Sequence, residues 1–165
     1  MEKRTVYLDN SATTRPFDEV TKVVADEMRN VYGNPSSVHR KGIEAENKLK
    51  EARKTVATSL QVDSDEIVFT SGGTEANNMA LKGTATAKRK RGKHIISSSI
   101  EHKSVLNALQ ALQDEGFEVT FLPVDYHGII DLEYLEKIIR DDTILVSIMH
   151  VNNETGSIQP IDKIS

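Results

Sequence analysis

The chain of 165 residues contains no cysteine. It therefore forms no disulfide, offers no thiolate to a metal and carries no thiol nucleophile, a composition compatible with a reducing compartment. Long apolar runs are missing too. No stretch reaches the roughly 18 residues of a membrane-crossing helix, and nothing apolar enough for a signal peptide follows the basic residues of MEKRTVYLD. Positive charge is not in excess either. The formal net charge of -4 runs against the Lys and Arg surplus from which affinity for nucleic acids and anionic membranes is built. These absences lead to the expectation of a soluble, cytoplasmic protein with no nucleic-acid and no membrane partner. Neither an internal repeat nor a low-complexity linker interrupts the chain.

With 38% apolar and 28% charged residues, the chain is long enough for one sizeable core and should bury roughly two thirds of its unfolded surface. Phe17, Val20, Val24, Met28 and Val31 recur at spacings of three and four, which predicts a helix with one buried stripe, stopped by Gly33 and Pro35. Ala45, Leu49, Ala52, Val56 and Leu60 predict a second, surface-lying helix. Beyond it, short apolar runs alternate with helical patterns. EIVFT, a helix from about Thr74, HIISS, a helix with Val105, Leu109 and Leu112, EVTFLPV, a helix with Leu132, Leu135 and Ile138, and TILVSIMHV follow in turn. Such alternation predicts an α/β fold, a mainly parallel sheet with helices on both faces. At the end, QPIDKIS puts Pro160 where a first helical residue would sit and starts an apolar stripe with Ile161 and Ile164. The expectation is the front part of a larger protein.

In open parallel sheets ligands gather beyond the carboxyl ends of the strands. Three polar clusters are expected there: SGGTEANN from Ser71, Ile100-Glu101-His102, and Asn152-Asn153-Glu154. At the first, Gly72 and Gly73 permit close backbone approach, while free helix-start amides and the Thr74 hydroxyl can hold an anion. The pattern reads as a phosphate cup or as an ordinary turn capped by Thr74. It lacks the lysine of a Walker loop and the G-x-G-x-x-G of a dinucleotide site, which sets aside nucleoside triphosphates and NAD. His102 can stack on a ring, move a proton or simply satisfy a backbone group. Near it in the pattern are Glu101, His150 and Glu154, but no H-x-x-x-H or H-E-x-x-H spacing occurs, and no metal site is expected. Asn153 offers a neutral amide to a phenolate-like oxygen, or caps a turn. The basic run from Lys88 to Lys93 reads as a solvated helix end.

Five blocks, YLDNSATT (7–14), GNPSSVHRKG (33–42), EIVFTSGGTEANN (66–78), EHKSVL (101–106) and ILVSIMHVNNETGSIQPI (144–161), resemble the pyridoxal-phosphate-dependent cysteine desulfurases of the NifS/IscS type. They run in order through nearly the whole chain. The resemblance implies the first part of a fold-type I large domain over residues 16–165, with residues 1–15 opening the small domain. It implies that Gly73 and Thr74 hold the phosphate of pyridoxal 5'-phosphate, and that His102 stacks on its ring with a possible proton-transfer role. Asn153 would meet the ring hydroxyl, and Asn34 the substrate carboxylate.

The implied reaction converts L-cysteine to L-alanine and passes the sulfur on as a persulfide, toward iron-sulfur scaffolds or thiolation pathways. The family's cofactor-binding lysine and persulfide cysteine are expected beyond Ser165, and Lys103 does not lie in the family's lysine motif. The resulting expectation is a homodimer in the family, and here a chain inactive alone, holding the cofactor weakly and prone to self-association through uncovered apolar surface. A non-catalytic assembly module and a related enzyme such as selenocysteine lyase stand as alternatives.

Overall fold

The computed structural model describes residues 5–164. The chain divides between Phe69 and Thr70 into two units, each built differently.

The first unit is helical. Helix α1 (Asp18–Asn30) has Asp18 and Glu19 in its first turn and Arg29 in its last, the charge order that suits a helix dipole. Helix α2 (Arg40–Leu60) begins at His39, whose ring accepts from the Gly42 amide, and ends at Gln61 in the left-handed region. The α1 stripe is where expectation and structure part: no residue of α1 is buried, and Val24 and Met28 are 52% and 76% exposed. A groove lined by Val23, Val31, Ala45 and Leu49 lies between the two helices. Two helices without a third layer cannot enclose a stripe. In α2 the buried residues are Gly42, Ala45 and Ala57, while Leu60 is exposed.

Expectation also fails at EIVFT. Asp63 and Glu66 form a capping box around a 3-10 turn, Ser64–Glu66, and the residues from Ile67 to Thr70 are not in a strand. Extended backbone needs a neighbouring ladder for its alternating amides and carbonyls. Here the Ile67 carbonyl accepts instead from Arg53 Nε at 3.3 Å.

The second unit carries the sheet. Strands β1 (His94–Ser98), β2 (Glu118–Leu122) and β3 (Thr143–Ser147) are all parallel, in the order β2-β1-β3. Helices α3 (Gly73–Lys88), α4 (Lys103–Asp114) and α5 (Leu132–Ile138) complete the unit. The central strand β1 is buried along its whole length, as a strand covered on both faces should be. Alternate residues serve alternate faces: Ile95 packs with Leu81 and Ala85 of α3, Leu109 and Leu112 of α4, and Ile144. Ile96 faces the other way, onto Leu122, Ile130 and Leu135 of α5. The α/β architecture with helices on both faces is therefore present.

Two boundaries differ from expectation. Strand β3 stops at Ser147, so His150 lies outside it and is exposed. Pro160 precedes a short 3-10 turn, Ile161–Lys163, instead of opening an α-helix. No helix among the described residues is long and apolar enough to cross a membrane.

Candidate functional site

Helix α3 opens at the double glycine. Its first internal hydrogen bond is from the Ala76 amide to the Gly72 carbonyl, at 3.1 Å. The amides of Gly73, Thr74 and Glu75 have no acceptor among the described residues, and no side chain caps them. A Cβ built on Gly72 or Gly73 would meet nothing within 4 Å, so the pair leaves an open cradle and is not demanded by internal packing. The Glu75 carboxylate turns backward, accepting from the Ser71 amide and hydroxyl at 2.6 and 2.7 Å. Those bonds hold its pKa below the ordinary carboxylate value.

Helix α4 starts directly after β1, and its N-cap is His102. Because a backbone amide can only donate, the Ser104 N–H at 3.1 Å makes His102 Nδ1 an acceptor. The Ser104 hydroxyl lies 2.8 Å from the same nitrogen and is reached on its other side by Asn77 Nδ2 of α3, also at 2.8 Å. Asn77 follows Thr74 by three residues, so the two share a helix face. The start of α3 and the start of α4 thus lie side by side at the carboxyl end of the sheet.

The third cluster joins them through the loop after β3. A cavity of about 360 Å³ is lined by Glu101, His102, Lys103, Leu106, Asn153 and Thr155, among others. The two neighbouring asparagines do different things. Asn152 is buried; its Nδ2 donates to the Ile100 carbonyl at 2.9 Å, and its Oδ1 accepts from the Glu154 and Thr155 amides, both at 2.9 Å. Asn153 is exposed, and its side chain has no hydrogen-bond partner among the described residues. Below them the buried Glu101 carboxylate accepts from Ser98 Oγ at 2.7 Å and from the Met149 amide at 2.8 Å.

Sequence reasoning named Glu101 and Asn152 only as members of polar clusters, and it missed Asn77 and Ser104. A signal was available: Ser104 lies two residues into the helix that His102 caps, and Asn77 lies one turn beyond Thr74.

Asn34 belongs to the first unit. Its Oδ1 accepts from the Ser36 amide at 2.9 Å and its carbonyl from the Ser37 amide at 2.9 Å, a turn that engages the side-chain oxygen locally. The loop around it is closed by two glycines. A Cβ on Gly33 would overlap the Lys41 carbonyl, and one on Gly42 would overlap the Ser37 carbonyl.

The aminotransferase class-V family profile matches residues 6–165. The chain belongs to the aminotransferase class-V family. Among its relatives in that family, the cysteine desulfurase IscS of Dictyoglomus turgidum is 50% identical over 163 residues, which are 99% of this chain and 41% of that protein. A solved NifS-like protein superposes with a TM-score of 0.92 at 47% identity, covering 96% of this chain and 44% of that one. SspA, solved in complex with cysteine, matches with a TM-score of 0.89 at 41% identity over 97% of this chain and 46% of its own. The chain thus spans less than half the length of these class-V relatives.

Proposed function

We propose that these residues form the N-terminal part of a pyridoxal 5'-phosphate site in a cysteine desulfurase, an enzyme that takes L-cysteine to L-alanine and passes the sulfur on as a persulfide. The observation that carries this reading is the donor set at the start of α3: three adjacent amides without acceptors, a hydroxyl at Thr74 and a cradle that no Cβ fills. That chemistry fits a phosphate dianion at the positive end of a helix. The adjoining cavity fits the rest of the cofactor. His102 offers a ring face, and Asn153 an amide with no other partner, suited to a ring hydroxyl. Identity near 50% to cysteine desulfurases supports the same assignment.

Bound there, pyridoxal phosphate would supply the electron sink that amino-acid chemistry requires. Gly73 and Thr74 would anchor its phosphate, His102 would hold its ring and handle a proton, and Asn153 would fix its hydroxyl. The Asn34 Nδ2 is left to donate, because the side-chain oxygen is already engaged; a substrate carboxylate is a matching acceptor. No residue of this chain is a thiol, so persulfide transfer requires a group that these residues do not supply. The partners in this reading are L-cysteine, a second copy of the protein, and an iron-sulfur scaffold or another sulfur acceptor.

Affinity follows from the donor count. Two or three charge-assisted hydrogen bonds contribute about 1.5–3 kcal/mol each, against an association cost of about 4 kcal/mol or more. The balance is at most about 5 kcal/mol, so binding is in the millimolar range or weaker and falls short of the about 8 kcal/mol that micromolar affinity needs. Amide NMR during titration with pyridoxal 5'-phosphate should move the Gly73 and Thr74 resonances at millimolar concentration, and pyridoxal without the phosphate should leave them in place. Equal responses to both compounds would refute the phosphate assignment.

A further inference from the structure

The sequence motif accounts for His102 but not for what holds its ring. Asn77, on α3, and Ser104, on α4, meet at 2.8 Å beside the Nδ1 edge of that ring, and Ser104 is buried. We propose that Asn77 and Ser104 are positioning residues that fix the His102 tautomer, keeping Nδ1 an acceptor and leaving the proton on Nε2, the nitrogen free to face a ligand. This inference rests on the cofactor reading only for its consequence; the hydrogen-bond geometry stands by itself.

Three features act in the same direction. The Ser104 amide can only donate to Nδ1. Asn77 Nδ2 fills the acceptor side of the Ser104 oxygen, so the hydroxyl proton is directed to Nδ1. The start of the twelve-residue helix α4 presents its positive end to the same nitrogen. The His102 backbone is fixed by the Val105 and Leu106 amides on its carbonyl, at 2.8 and 3.1 Å, and the ring itself is held by the Ser104 amide and hydroxyl at Nδ1. A neutral imidazole carries one N–H, and in this setting it belongs on Nε2.

For the site this means that His102 reaches a ligand as a hydrogen-bond donor through Nε2. It can give up that proton only by taking another, and Nδ1 is not the nitrogen that delivers it. Asn77 and Ser104 touch neither cofactor nor substrate in this scheme. Their effect passes through the ring.

The test is the nitrogen-15 spectrum of histidine-labelled protein at a pH where the ring is neutral. The expected wild-type spectrum has the proton-bearing shift at Nε2 and the lone-pair shift at Nδ1. Ser104→Ala should lower the ratio of the Nε2–H to the Nδ1–H tautomer by about threefold to tenfold, the worth of one hydrogen bond. Asn77→Asp should act in the same sense, because a carboxylate draws the serine hydroxyl proton toward itself, and Ser104→Thr should restore the wild-type ratio. A wild-type ring protonated on Nδ1, or a ratio unmoved in both Ser104→Ala and Asn77→Asp, would overturn the proposal. Shifts of the Thr74 amide with pyridoxal 5'-phosphate, recorded on the same samples, report on the cofactor reading separately. Their loss would sink that reading and leave the tautomer result intact.

Discussion

The Glu101 carboxylate accepts from the Met149 amide at 2.8 Å, tying the loop after β1 to the chain leaving β3. With the Ser98 hydroxyl on the same oxygen, a buried acid takes over where the backbone ladder ends. Replacing it by alanine strands a buried hydroxyl and a part-buried amide. Glu101→Ala should cost about 1–3 kcal/mol, read from the urea midpoint. Glu101→Gln, which keeps an acceptor oxygen, should lose less. Equal stability of wild type and alanine variant would remove Glu101 from this role.

His94 gives the fold a dependence on acid. It is 1% exposed in the central strand, with Nδ1 2.8 Å from Thr143 Oγ1 and Nε2 2.9 Å from Thr120 Oγ1. Burial, helped by the Arg140 cation and opposed by Glu118 and Asp142, pushes its pKa below the ordinary 6.5. The unfolded chain therefore binds the proton more readily. Stability from this group is fully present above about pH 6.5 and is lost as pH falls through the lowered folded-state pKa. His94→Gln should flatten that part of a stability-against-pH curve, and an unchanged slope would count against it.

A second acid-sensitive element lies on the surface. Arg140 grips both oxygens of Glu118 at 2.8 Å and reaches Asp142 at 2.9 and 3.1 Å. These bonds to Arg140 hold both carboxyls below their ordinary values of 4.5 and 3.8 and raise the arginine. Their contribution is present above those values and disappears as pH falls through the lowered ones. Arg140→Lys keeps the charge but loses the two-pronged geometry. Thermal melts should show the low-pH loss shrink in Arg140→Lys, and shrink in wild type at high salt.

Exposed apolar side chains on α1 predict association. Val20, Val24 and Met28 lie on one helical stripe and are all exposed. Light scattering across a concentration series should show mass rising with concentration, and Val24→Lys with Met28→Lys should suppress the rise. A single monomeric species throughout would contradict it.

The alternation of apolar runs and helical periods was enough to read α3, β1, α4, β2 and α5 from sequence, because each of these strands and helices packs on the sheet its own pattern implies. EIVFT was misread because a strand exists only by virtue of its neighbour, which a single run of residues does not reveal. The length of TILVSIMHV misled for a related reason: the amide that would continue the ladder at Met149 is taken by Glu101, 48 residues away. The α1 stripe shows periodicity without burial. At the candidate site, the residues proposed to face a ligand lie in the blocks at 33–42, 66–78, 101–106 and 144–161, which the sequence already singles out. The pairing of Asn77 with Ser104 was not legible there, because their meeting depends on two helices packing side by side.

The loop that presents Asn34 contains its own instructions. Its turn bonds, its histidine cap and the two glycines that let the backbone fold onto itself all fall between residues 33 and 42. Lys41 then ties this stretch to both flanking helices, its Nζ donating to the Asn30 carbonyl and to Glu44, each at 3.0 Å. A graft meant to offer the Asn34 amide in the same pose must therefore carry the end of α1 and the start of α2 with it, and transplanting the asparagine by itself would not reproduce that pose.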